Sequence, residues 1–123
     1  MQNFNLPHDH GHEIQNALAH LPSTENFDTV SQLFHLLGDG TRIKIFWILC
    51  HCEECVINLS ASLGMSSPAI SHHLQKLKSS GLIISRRDGK EVYYKAADTP
   101  LVCELHNILE SVSAISCPLA ERE

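Results

Sequence analysis

Residues 57–80 read Ile57-Asn58-Leu59-Ser60-Ala61-Ser62-Leu63-Gly64-Met65-Ser66-Ser67-Pro68-Ala69-Ile70-Ser71-His72-His73-Leu74-Gln75-Lys76-Leu77-Lys78-Ser79-Ser80. Leu59 and Leu63 lie one helical turn apart, and Gly64 supplies the stop for a short helix over 57–63. Ser66 or Ser67 can cap a second helix, and Pro68 suits its first turn, where a missing N–H is no loss. Ile70, Leu74 and Leu77 recur at helical spacing as its inner stripe, and Gly81 stops it. Two helices about a tight turn make a helix-turn-helix. The second helix of such a pair enters a major groove about 12 Å wide, so its leading outer residues are small or hydrogen-bonding. Ser66, Ser67, Ala69, Ser71, His72, Gln75 and Lys76 meet that demand and are the candidate DNA contacts.

Downstream the period changes. Leu82-Ile83-Ile84-Ser85 and Val92-Tyr93-Tyr94-Lys95 are short β-prone runs flanking Arg86-Arg87-Asp88-Gly89-Lys90, with Asp88-Gly89 as the turn signal. A hairpin with Arg86, Arg87 and Lys90 at its tip suits a wing reaching phosphates or an adjacent minor groove. The charge distribution agrees. The whole chain has a net charge of -5, but residues 66–95 hold six Lys and Arg against Asp88 and Glu91. Binding to an anionic duplex depends on such a local patch more than on the total.

Upstream, Ile14, Leu18 and Leu21 fit a helix ended by Pro22. Thr24 or Asn26 caps a second helix with Phe27, Val30, Leu33, Phe34 and Leu37, and Thr41 caps a third with Ile45, Ile48 and Leu49 inward. A last amphipathic helix covers roughly 99–115, carrying Leu101, Val102, Leu105, Ile108, Leu109 and Val112. The expected fold is mainly α with a β-hairpin wing, in the order α-α-α-α-α-β-β-α. The expected division is a flexible His-rich arm over 1–12, a DNA-binding and dimerisation domain over 13–116, and a tail over 117–123.

With 123 residues the chain is the size of one domain, and 43% hydrophobic content can fill a core. No apolar run approaches the roughly 20 residues of a membrane span. The first thirty residues hold neither a basic start nor a long apolar stretch, which predicts a cytoplasmic protein. Five cysteines in such a chain point away from a disulfide framework and toward thiol or metal chemistry.

Cys50-His51-Cys52-Glu53-Glu54-Cys55 places three thiols and an imidazole within six residues. Thiolate and imidazole are ligands for Zn, Cd, Co, Ni and Cu ions and for thiophilic As(III). Cys52 and Cys55 have a C-x-x-C spacing that suits one shared ion at a helix end. His8, His10 and His12 offer further ligands on the arm, and Cys103, His106 and Glu110 share one face of the last helix. The candidate metal set is Cys50, Cys52, Cys55, His10, His12 and His106; His20, His35 and His51 carry no comparable claim.

Arg42-Ile43-Lys44-Ile45, Glu54-Cys55-Val56-Ile57-Asn58-Leu59, Ser71-His72-His73-Leu74-Gln75-Lys76-Leu77, Gly81-Leu82-Ile83 and Arg86-Arg87-Asp88-Gly89-Lys90-Glu91-Val92-Tyr93-Tyr94 resemble the ArsR/SmtB family of bacterial metal-sensing repressors over residues 27–115. The resemblance implies a homodimeric winged helix whose first and last helices form the interface. It also implies operator binding in the apo state and release by a ligand. Relatives pair two cysteines where this chain keeps Cys55 but has Ile57 and Asn58, so Cys52 or Cys50 stands in for the missing sulfur. An arm histidine or cysteine in relatives crosses the dimer to that cysteine. The usual site on the last helix is missing here, with Asp98 retained but Pro100, Ser111 and Ala114 at its other positions.

The expected function is therefore a repressor that binds double-stranded operator DNA as a homodimer and releases it on binding a metal ion or metalloid. The alternative within the fold is a thiol-redox or persulfide sensor that pairs Cys50 with Cys103 or Cys117. More remote are a non-sensing DNA-binding protein and a metalloenzyme. The latter needs an open coordination site and a general base, and no H-E-x-x-H or G-x-S-x-G is present.

Overall fold

The computed structural model describes residues 5–116. Six helices and three strands follow in the order α1 (Glu13–Ala19), α2 (Thr24–Leu36), α3 (Gly40–His51), β1 (Glu54–Cys55), α4 (Val56–Leu63), α5 (Ser67–Ser79), β2 (Ile83–Asp88), β3 (Glu91–Ala96) and α6 (Pro100–Ser116). The chain divides into two compact units, Met1–Leu33 and Phe34–Glu123. Among the described residues no helix is long and apolar enough to cross a membrane. Cys117 and the tail over 117–123 lie outside the described residues.

In the first unit α1 buries no residue. The cap of α2 differs from expectation. Ser23 takes the place foreseen for Thr24 or Asn26, its hydroxyl accepting from the Asn26 amide at 3.2 Å. Ile14, Leu21, Phe27 and Val30 are all exposed.

The second unit holds the core. Ile45, Phe46 and Leu49 of α3, Leu59 of α4, Ile70, Leu74 and Leu77 of α5, Leu82, Ile83, and Val102 and Leu105 of α6 are buried together. Burial of this apolar set supplies the main drive for folding. Helix α3 is capped by Asp39 rather than by Thr41: the Asp39 carboxylate accepts from the Arg42 amide at 2.9 Å. A carboxylate is the stronger cap, because it also meets the positive end of the helix dipole. Arg42 is itself buried, and its Nη1 donates to the Leu36 carbonyl at 2.7 Å.

Helix α4 ends at Gly64, whose φ of 64° is the left-handed conformation that glycine adopts without cost. Ser66 then caps α5, with Pro68 in the first turn. The wing is a two-residue hairpin in which Asp88 pairs with Glu91. Its central residues are Gly89 and Lys90, one position later than Asp88-Gly89. Only Gly89 takes a positive φ, as a loop of the II′ kind has. A third strand was not expected from sequence: β1 pairs antiparallel with β3, Glu54 opposite Tyr94 and Cys55 opposite Tyr93, so the sheet order is β1-β3-β2.

Candidate nucleic-acid interface and effector cleft

The apolar stripe of α5 decides what the helix can offer to a partner. With Ile70, Leu74 and Leu77 turned inward, Ser67, Ser71, His72, Gln75 and Lys76 are left exposed on the opposite side, as is Ser66 at the cap, while Ala69 is half-buried. Gln75 Nε2 donates to the Ser79 hydroxyl at 3.4 Å. The turn before the helix is held by the Met65 amide donating to the Ser60 carbonyl and by the Ser60 hydroxyl donating to the Met65 carbonyl. A rigid turn fixes the angle between α4 and α5 and so the aim of the outer face. His73 points the other way: it is partly buried, and its Nδ1 has no hydrogen-bond partner. Burial holds its pKa below the ordinary value, partly opposed by the Asp39 charge.

On the wing, Arg87 and Lys90 are exposed near the tip. Arg86 is engaged. Its Nη2 and Nε donate to Glu53 at 2.6 and 2.9 Å, its guanidinium lies 4.9 Å from the centre of the Tyr93 ring, and Asp88 stands 3.8 Å away. The pairing holds the Glu53 carboxyl below and the Arg86 guanidinium above their usual pKa ranges. The sequence groups Arg86 with Arg87 and Lys90 as phosphate-reaching cations of the wing; in the structure it closes onto the thiol-bearing loop instead.

That loop borders a cleft of about 400 Å³ among the end of α3, the end of β3 and the start of α6. Cys50, Cys52 and Cys103 line it together with His51, His106 and Asp98. Cys52 and Cys103 are exposed and Cys50 half-buried, all three as free thiols. Burial, and secondarily the Glu110 charge, push the Cys50 thiol up to about 11.

The structure regroups the thiols that the C-x-x-C spacing suggested. Cys52, at the C-terminal cap of α3, lines the cleft. Cys55 is drawn into β1, is buried, and is not among the lining residues. Cys103, fifty-one positions beyond Cys52, joins Cys50 and Cys52 in its place. His10 and His12 are exposed in the first unit, where the His8 and His10 rings stack with centroids 5.6 Å apart.

His51 is the residue that sequence reading passed over. Its ring lies 4.2 Å from Trp47 and 4.7 Å from His106. Its nearest signal was the Trp47–His51 spacing of one helical turn, which carries no hint of a partner fifty-five residues away.

Residues 39–85 match the family model of the bacterial regulatory protein, arsR family. The chain is 32% identical over 89 residues to a transcriptional repressor SmtB homolog of a Synechocystis species, covering 72% of this chain and 67% of that protein. It is 45% identical over 65 residues to an arsenical resistance operon repressor of Escherichia coli, covering 52% and 56%. Across several curated relatives the match spans about half to two thirds of their length. Among solved structures, a homodimeric winged helix-turn-helix DNA-binding domain from Mycobacterium bovis has a TM-score of 0.65 at 30% identity, covering 76% of this chain and 88% of that one. The fold is thus a winged helix-turn-helix, and the chain belongs to the ArsR family of bacterial regulatory proteins.

Proposed function

We propose that this chain is a metal-responsive transcriptional repressor rather than an enzyme. It grips operator DNA in the cytoplasm as a homodimer, through the exposed side of α5 and the wing, and lets go when a thiophilic or borderline ion such as Zn, Cd, Co, Ni or As(III) is bound. One observation carries the reading: a single cleft joins three thiols and two imidazoles, and its rim residue Glu53 holds Arg86 of the wing. Ligand binding there costs the thiols their protons and draws α3 and α6 around the ion. A changed loop then changes how the wing cation is presented to phosphate. A coupling of a few kcal/mol is enough, since about 1.4 kcal/mol is a tenfold change in affinity.

The names of similar proteins support the metal class. They include repressors of arsenical resistance and cadmium resistance regulators. Dimerisation is supported by Leu101, Ile108 and Val112, exposed apolar residues on α6, and by the homodimeric relative. The redox reading is weaker, because the named relatives are regulators of metal and metalloid resistance.

The test is operator release, followed by fluorescence anisotropy of a labelled duplex. Cys52→Ser with Cys103→Ser retains DNA binding and loses release by cadmium or arsenite. Release that persists in the double variant rejects the cleft as the effector site.

A further inference from the structure

Beyond the sulfurs, three side chains meet at one point beside the cleft. Nε2 of His106 lies 3.0 Å from Nε2 of His51. Oε1 of Glu110 lies 3.0 Å from His106 Nε2 and 3.6 Å from His51 Nε2. Among the described residues this is the one group of three His, Cys, Asp or Glu whose ligand atoms all fall within 4.8 Å. We propose that His51, His106 and Glu110 form a binding site for a divalent ion of the zinc, cobalt or nickel class that needs none of the cleft's sulfurs.

The geometry suits the ion. A triangle with these edges has a circumradius of about 1.9 Å, slightly less than the roughly 2.0–2.1 Å of Zn–N and Zn–O bonds. An ion a little out of the ligand plane therefore reaches all three atoms without rearrangement. A ring N–H serves the other ring or the carboxylate, whereas a cation serves both rings and the carboxylate at once. Two imidazoles and a carboxylate favour borderline ions over arsenite, which seeks sulfur. His51 and Glu110 are about half exposed, so a fourth position stays open to water. The framework is preset: His51 is the last residue of α3, and His106 and Glu110 are one turn apart on α6. A bound ion clamps the two helices across the mouth of the cleft. This inference goes beyond the repressor reading and does not depend on operator release.

Trp47, the single tryptophan, provides the readout, because its ring touches that of His51. The full-length reduced protein is titrated with Co²⁺, whose open d shell quenches a neighbouring indole. Saturable quenching at one equivalent per protomer is expected in the native sequence and in the triple variant Cys50→Ser, Cys52→Ser, Cys103→Ser. His106→Gln and Glu110→Gln each weaken the binding by about tenfold or more, the scale set by losing support around a metal. Glu110 is exposed, so Glu110→Gln keeps the test open should His106→Gln fail to fold. Loss of quenching in the triple serine variant, or unchanged quenching in both glutamine variants, overturns the site. Operator release is read separately, so its failure sinks the repressor reading and leaves this result standing.

Discussion

The Arg86 guanidinium binds the Glu53 carboxylate through two hydrogen bonds, joining the wing to the two-residue segment between the cleft thiol Cys52 and the buried Cys55. Arg86 is exposed and Glu53 half-buried, so the pair's contribution to stability is small and screened by salt. Its consequence is positional. A cation held by a carboxylate is withheld from phosphate, and the carboxylate lines the cleft proposed for the effector.

Glu53→Gln is therefore expected to free Arg86 for the duplex. Apo operator binding becomes more salt-dependent, the slope of log K against log salt steepening by up to about one, as for one added phosphate contact. Arg87→Ala has the opposite effect, flattening the slope by about one and weakening binding across sequences alike. Anisotropy titrations at several salt concentrations measure both. Equal slopes in Glu53→Gln and the native protein would show that Arg86 gains no phosphate when released.

Acid sensitivity has an identifiable source in His73. Burial lowers its folded-state pKa below the 6.5 of a free histidine, so between those values the unfolded chain binds the proton and the folded chain does not. Stability is then full above pH 6.5 and falls as pH drops through the lowered value. Asp39, also lowered, adds a loss that begins only below 3.8. His73→Gln is expected to flatten the decline of the urea midpoint from pH 7 to pH 5, while Asp39→Ala lowers the midpoint at pH 7 by removing the cap of α3. An unchanged pH profile in His73→Gln assigns the acid response elsewhere.

Phe46 is fully buried at the centre of α3, a position that the Ile45, Ile48, Leu49 stripe did not single out. Phe46→Ala is expected to cost about 3–5 kcal/mol, the usual range for deleting a buried phenyl ring. Urea denaturation measures it, and a loss under about 1 kcal/mol would place Phe46 outside the stabilising core.

What could be read in the sequence was local. Gly64, Ser66 and Pro68 mark the boundaries of α4 and α5 within five residues, and the alternation of Ile70, Leu74 and Leu77 with serine and histidine fixes which side of α5 faces out. What escaped was set by contacts across the fold. Strand β1 has two residues, too few for a period, and exists because Tyr93 and Tyr94 pair with it. That pairing buries Cys55 and leaves Cys52 at the cleft, a difference between the two thiols that the C-x-x-C spacing does not announce. Glu53 with Arg86 and His51 with His106 are separated by thirty-three and fifty-five residues, and no local pattern announces either.

Helix α6 leaves Leu101, Ile108 and Val112 exposed, at spacings of seven and four that put them on one side of the helix. Val102 and Leu105 meanwhile anchor that helix in the core of its own protomer. A solvated apolar stripe of this kind is the mark of an interface, and a second copy is the partner proposed for it, as in the homodimeric relative from Mycobacterium bovis. Ile108→Asp with Val112→Asp places two charges in the proposed seam without touching the buried anchors. The expected product is a folded monomer, seen by sedimentation, with native helix content by circular dichroism. Its operator affinity falls by about a hundredfold or more, because each half-site is then held alone and the gain from linked binding is gone. A double variant that still sediments as a dimer places the seam elsewhere than on this stripe of α6.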